Sequence, residues 1–191
     1  MINIERRAHE GIELRAEAGK PGVLSGYAVV FDKRSLDLGG FVEVVKPGAF
    51  TRSLKSGNDI LALAHHDAGR PLARRSAGTL TLTEDSTGLL VSITLADTTA
   101  ARDVSADIRA GNVKGMSFGF SAKQDKWTRG TGGEPTLREL LDVDLHEVSA
   151  VTWPAYQDTS VAMRLLSKFG PEIEAQQRLN AMRIRLFTLP L

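Results

Sequence analysis

Three short segments of the sequence contain side chains that could together carry out acyl transfer. The segment GNVKGMSFGFSA places Ser117 between glycines and apolar residues, and LALAHHDAGR ends an apolar run on His65 and His66. The third segment, DVDLHEVSAVTW, carries Glu147 among apolar residues. Acyl transfer through a covalent intermediate requires a hydroxyl nucleophile, a histidine that takes its proton, and an acid that orients the histidine. The order of these residues along the chain is free, because such triads are defined by geometry.

Each candidate also has an interpretation without catalysis. Ser117 could fill a strand position, the two histidines could end a strand in solvent, and Glu147 could face water from an edge strand. Adjacent residues of a β-strand point to opposite faces. We therefore expect only one of His65 and His66 to reach a common site. The same reasoning separates His146 from Glu147.

Two better-known catalytic patterns fit the sequence poorly. GMSFG matches the G-x-S-x-G elbow of α/β-hydrolases, but that elbow is followed directly by a helix. The residues after Ser117, FGFSAKQDKW, instead predict a strand or a turn. A zinc site of the H-E-x-x-H type is excluded at His146 because position 150 is alanine. No metal and no other cofactor is therefore expected.

The elements that must position these residues are predicted to be mainly β-strands. Short runs of apolar and β-branched residues occupy most of the chain before the tail, and TLTLTEDSTGLLVSITL predicts a hairpin. Two short helices interrupt the strands. One follows Pro47 and ends at Gly57, and the other begins at Thr98 or Thr99 and ends at Gly111. The segment TRGTGGEPT predicts a loop.

The composition fits one domain followed by a helical tail. The chain has 191 residues, of which 42% are hydrophobic and 25% charged, enough for one substantial core. We place the domain at residues 1–168 and the tail at 169–191. From Pro171 the tail predicts one helix with a single apolar stripe, which we expect to be an assembly contact or to pack on the domain. The stripe consists of Ala175, Leu179, Met182 and Leu186.

Charge and cysteine content exclude several classes of protein. The 24 Lys and Arg against 23 Asp and Glu leave a net charge of +1, without the basic excess expected of a nucleic-acid-binding protein. The absence of cysteine excludes disulfides and cysteine nucleophiles. The charged N-terminal segment lacks the apolar core of a signal peptide, and no apolar run is long enough for a membrane span.

Six blocks of sequence, in order, resemble the prohead maturation protease family of tailed bacteriophages, which is related in fold to the herpesvirus assembly proteases. The resemblance extends from about Gly26 to Arg164. The blocks are GYAVVFD, GGFVEVVKPGAFTRSL, HDAGRPLAR, TGLLVSITLADT, IRAGNVKGMSFGF and DLHEVSAVTWPAYQDTSVAMR. The resemblance implies an α+β fold, mainly β with several helices and built on a herpesvirus-assemblin-like barrel, followed here by the C-terminal helical tail.

The resemblance also implies a serine endopeptidase and its site. The nucleophile falls on Ser117, the base on His66 and the acid on Glu147. His146 is the alternative third member, because the herpesvirus relatives use a second histidine, and His65 is the alternative base.

The same resemblance implies where such an enzyme acts and on what. Enzymes of this family work inside the immature procapsid, in the cytoplasm of the host bacterium. They cleave the scaffolding segment of the major capsid protein, and often themselves. The portal and further copies of the chain are further candidate partners, whereas a membrane or nucleic acid is not. An esterase and an inactive, protease-like assembly component remain the alternatives.

The glycines beside the serine also have an expected purpose. Without side chains they would allow a substrate backbone to lie close to the strand. Phe118 and Phe120 share a face and are expected to anchor this strand in the core. Met116, Ser117 and Gly119 would then be free to shape the site.

Overall fold

The computed structural model describes residues 4–8, 15–16 and 22–152, which contain ten β-strands and two α-helices. The predicted helical tail lies outside these described residues. No helix within them is long and apolar enough to cross a membrane. The helices are α1 (Thr51–Lys55) and α2 (Thr99–Ala110). The strands are β1 (Glu5–Ala8), β2 (Arg15–Ala16), β3 (Val23–Val30), β4 (Phe41–Val45), β5 (Leu61–Ala64), β6 (Asp67–Arg74), β7 (Leu80–Glu84), β8 (Gly88–Thr94), β9 (Gly115–Thr128) and β10 (Thr136–Val151).

The strands form two sheets. The larger has six strands, in the order β1-β9-β10-β5-β6, with β4 also paired to β10, and the smaller has the order β2-β3-β8-β7. Strand β10 is antiparallel to β9 on one edge and parallel to β4 and then β5 on the other. The β-rich α+β class is thus confirmed. The predicted assemblin-like closed barrel is not seen, because no described strand of one sheet is hydrogen-bonded to a strand of the other.

The hydrophobic core lies between the two sheets and fixes which way β9 faces. Met116, Phe118 and Phe120 are fully buried in the same cluster as Val91 and Ile93 of the smaller sheet. The rings of Phe118 and Phe120 stack with centroids 5.0 Å apart. Since residues alternate along a strand, those between these core residues point to the opposite face of the larger sheet.

The predicted hairpin and the second predicted helix are confirmed, together with the signals that begin and end them. Strands β7 and β8 form the hairpin, and the Asp85 carboxylate accepts the N–H of Gly88 in its turn. The Thr98 hydroxyl accepts the N–H of Ala101 at the start of α2. The helix ends at Gly111, whose φ of 77° is the left-handed conformation that glycine adopts without strain.

Strand β1 was not predicted from the sequence, because its buried residues, Glu5 and Arg7, are charged rather than apolar. The Arg138 guanidinium lies 2.6 Å from Glu5 and 2.9 Å from Glu43, and Arg7 lies 2.7 Å from Glu5. Asp125 completes this buried charge cluster, 2.7 Å from Arg138. Burial acts to lower the pKa of the Arg138 guanidinium, but the Glu43 and Glu5 carboxylates outweigh it and the pKa lies above its ordinary value. Arg138 thus stays charged, and the ion pairs of the cluster connect β1 to β10 and β4.

Replacing Arg138 by methionine is expected to destabilise the fold strongly. The change leaves Glu5 and Glu43 with Arg7 alone and removes the ion pair of Asp125, and breaking a buried ion pair typically costs about 3–5 kcal/mol. The measurement is the midpoint of urea unfolding. Lys126→Met is the matched control, since the Lys126 side chain in the ion pair with Glu139 is 65% exposed and surface pairs contribute little. Equal midpoints for the two variants would contradict a structural role for the cluster.

Candidate active site

The larger sheet presents the candidate residues on the face opposite the core. Across β9 and β10, Ser117 pairs with Ser149, and Gly119 pairs with Glu147. Strand β1 pairs with the other edge of β9 and brings Arg6 opposite Gly119. Arg6, Gly119 and Glu147 therefore form one row across three strands, and Ser117 and Ser149 lie in the next row.

A nearly buried carboxylate is at the centre of this face. Glu147, only 6% exposed, accepts at Oε1 from His66 Nδ1 at 2.6 Å and at Oε2 from the Ser149 hydroxyl, also at 2.6 Å. Arg6 Nε lies 3.5 Å from Oε1. Because an ionised carboxylate only accepts hydrogen bonds, Nδ1 of His66 carries the proton. In the neutral form of this imidazole, the other ring nitrogen, Nε2, is the basic atom.

His66 reaches the carboxylate from a tight turn rather than from a strand. Ala64 pairs with Asp67, so His65 and His66 are the two central residues of the β5–β6 hairpin. Their φ angles of 52° and 62° are both positive, as in a type I′ turn. The expected strand alternation at this pair is therefore wrong, although only His66 meets Glu147 and His65 is exposed. Left-handed backbone costs about 1–2 kcal/mol per non-glycine residue, and such strain clusters at functional sites.

Ser117 lies on the same face, with its hydroxyl turned towards β1. The residue is 3% exposed, and its Oγ donates a hydrogen bond of 2.8 Å to the backbone carbonyl of Arg7. In this arrangement the hydroxyl proton is directed to β1 and not to His66.

His146 is separated from this group by a β-bulge. The register shifts between Leu145 and Glu147, so His146 has no partner residue on β9. Its Nε2 is 2.8 Å from the hydroxyl of Ser121. By strand alternation Ser121 shares the face of Ser117, so His146 and Glu147 are not on opposite faces as expected. Ser121 is four residues from Ser117, roughly 13 Å along an antiparallel strand.

The structure corrects two expectations about the residues beside the serine. Met116 does not shape the site, because it is fully buried in the core. The space beside Gly119 is not left for a substrate. A Cβ atom at that position would lie 2.6 Å from Oε1 and 2.9 Å from Cγ of Glu147, so the acid itself occupies the space.

Sequence reasoning missed three residues that contact the site. Ser149 could have been predicted from the sequence, since it lies two residues after Glu147 on the same strand and so shares its face. Arg6 and Arg7 could not, because β1 is held by ion pairs and lacks an apolar pattern.

A serine on the same sheet face as a histidine whose Nδ1 is hydrogen-bonded to a carboxylate combines the three side chains that serine hydrolases use. The profile of the family described as caudovirus prohead serine protease matches residues 6–170. The chain belongs to this family.

Individual relatives agree with this assignment. The prohead protease of Enterobacteria phage HK97 is 32% identical over 148 residues, which are 75% of this chain and 60% of that protein. The chain thus aligns with less than two thirds of that relative. The structure of the bacteriophage T4 capsid assembly protease, gp21, superposes with a TM-score of 0.52 at 13% identity, covering 78% of this chain and 97% of that one. At such low identity this likeness concerns the fold.

Replacing Gly119 by alanine is expected to disable the site without unfolding the protein. The glycine has no positive φ that would strain alanine, so the added methyl acts by displacing the Glu147 carboxylate. A misplacement of about 1 Å can cost 10²-fold in rate. The measurement is the rate at which a fluorophosphonate labels Ser117.

A double variant tests this explanation of Gly119. If the methyl acts only through the acid, Gly119→Ala costs nothing further in a protein that already carries Glu147→Ala. An additive loss in the double variant would show that Gly119 serves another purpose.

Proposed function

We propose that this protein is a serine endopeptidase of procapsid maturation that uses Ser117, His66 and Glu147. Family membership supports the class of activity. The observation that carries the assignment of residues is the 2.6 Å hydrogen bond from His66 to Glu147, on the sheet face that also presents Ser117.

The proposed reaction begins with rotation of the Ser117 hydroxyl from the Arg7 carbonyl to Nε2 of His66. The imidazole takes the proton as Oγ attacks the carbonyl carbon of the scissile peptide bond. His66 then gives this proton to the departing amine, which leaves an acyl-enzyme on Ser117. A water molecule, deprotonated by the same imidazole, hydrolyses the ester and frees the serine.

Glu147 supports the charge that forms during these steps. Each proton transfer to His66 creates an imidazolium next to the carboxylate, which stabilises it and keeps the ring in its productive tautomer. The carboxylate is suited to this because it is 6% exposed, and electrostatic interactions are stronger away from water.

The proposed substrate is the major capsid protein of the same phage, cleaved in its scaffolding segment. The similarity to the prohead protease of phage HK97 supports a role at this stage of assembly. The enzyme would act inside the immature procapsid in the bacterial host. Its own chain and the portal are further proposed partners, with residues 1–168 as the proteolytic domain.

An inactive assembly component is the second candidate, and one observation favours it. The Ser117 hydroxyl donates to Arg7, so the nucleophile and the base are not hydrogen-bonded in this arrangement. A protein that had lost its activity could keep such a contact permanently.

Co-expression with the capsid protein of the same phage tests the proposal. The expected result is a shortened capsid protein, together with fluorophosphonate labelling that peptide mapping places on Ser117. Labelling without trimming would favour the esterase alternative. Absence of both would favour the inactive component.

A further inference from the structure

The buried acid of the site is held by a residue that has no part in the proposed reaction. Ser149 is fully buried, and its hydroxyl donates to Oε2 of Glu147 at 2.6 Å. The opposite oxygen, Oε1, receives His66 at the same distance. Each oxygen of the carboxylate therefore accepts one hydrogen bond. The bond from Ser149 fixes the plane of the carboxylate group, and with it the direction in which Oε1 faces the imidazole.

We propose that Ser149 is a positioning residue that sets both the orientation of Glu147 and the strength with which Glu147 attracts the proton of His66. The inference rests on the proposed function of Ser117, His66 and Glu147. Two features carry it. The hydroxyl lies two residues from the acid on one strand face, and the burial of both residues leaves little access for a water molecule to replace the bond.

Arg6, the other group near the carboxylate, is placed differently. Its side chain is 43% exposed, and its Nε lies 3.5 Å from Oε1, the oxygen already bonded to His66. Arg6 therefore adds positive charge near the oxygen that His66 already contacts. Asp67, next to His66 in the chain, is exposed and directs its carboxylate to the N–H of Gly69. Among the described residues, only Ser149 donates a hydrogen bond to Oε2.

Removing the hydroxyl is expected to have two separate effects. The carboxylate loses its fixed plane, so reaction at the nucleophile slows by about 10–100-fold, the factor that corresponds to a hydrogen bond to a charged group. The negative charge on Glu147 also becomes less neutralised and favours the imidazolium form of His66. Since only the neutral imidazole acts as base, the pH of half-maximal rate moves upward.

The test measures the rate of fluorophosphonate labelling of Ser117 across pH, in the full-length chain. The variants are Ser149→Ala, Ser149→Thr and, as matched control, Ser121→Ala. Ser121 lies on the same face of β9 as Ser117, roughly 13 Å away, and is hydrogen-bonded to His146 of β10. Threonine keeps a donor hydroxyl and suits a β-strand.

The expected result is a slower and upward-shifted profile for Ser149→Ala, substantial recovery of both quantities in Ser149→Thr, and no change in Ser121→Ala. A purely structural role would scale the whole profile down and leave the pH of half-maximal rate in place, and this outcome overturns the inference. A Ser149→Ala profile equal to the wild type overturns it as well. If the wild-type chain itself is not labelled at Ser117, the proposed function fails rather than the role of Ser149.

Discussion

Replacing Ser117 by alanine is expected to abolish trimming of the co-expressed capsid protein while leaving the fold intact. The change removes one oxygen atom from a residue that is 3% exposed, and it costs a single hydrogen bond to the carbonyl of Arg7. Without the hydroxyl no acyl-enzyme can form, and loss of a triad member typically lowers turnover by about 10⁴-fold or more. The measurement is the ratio of full-length to trimmed capsid protein after co-expression.

The control for this experiment is Ser121→Ala on the same strand. It removes a hydroxyl bonded to His146, and trimming is expected to continue at the normal rate. Equal unfolding temperatures of the two variants would show that the loss is chemical. Undiminished trimming by Ser117→Ala would rule out this residue as the nucleophile.

Four further variants are expected to separate the members of the two adjacent pairs. His66→Ala and Glu147→Ala should lose activity severely, because each removes one side of the 2.6 Å contact. His65→Ala should keep most of its activity, since the His65 side chain is exposed and its backbone N–H still binds Ala150. His146→Ala should also remain active, because His146 contacts Ser121 instead. The measurement is trimming of the capsid protein under limiting enzyme.

The turn allows a version of this test that preserves the backbone. Asparagine tolerates positive φ better than other non-glycine residues, so His66→Asn removes the base and keeps the hairpin, with His65→Asn as its matched control. Loss of activity in the His65 variant alone would mean that His65 is the base. Loss in His146→Ala with retention in Glu147→Ala would indicate a site with two histidines.

Local signals explain why parts of the fold were predictable. The β7–β8 hairpin and helix α2 depend on turn and capping residues a few positions apart, such as Thr98 and Gly111. Their geometry is decided within the segment. The sequence blocks shared with the family likewise singled out His66 and Glu147 as site residues. In the structure these two side chains are hydrogen-bonded to each other.

Features that depend on distant partners were not predictable in the same way. Strand β1 owes its burial to an ion pair between Glu5 and Arg138, which is more than a hundred residues away. The sequence of β1, ERRA, contains no pattern that predicts this pairing. The β-bulge at His146 changes the direction of a side chain that simple alternation would fix. The need for glycine at position 119 becomes visible only when the side chain of Glu147 is placed against it.

The long separations between contacting residues have a consequence for how the protein is made. Ser117 meets Arg7 across 110 positions, and His66 meets Glu147 across 81. Contacts of this range make folding slow, because the intervening chain must be ordered before they form. A growing chain on the ribosome already contains the serine and the histidine but lacks β10, and with it the acid. The contact between His66 and Glu147 therefore forms only after β10 has been synthesised, and until then the proposed triad is incomplete.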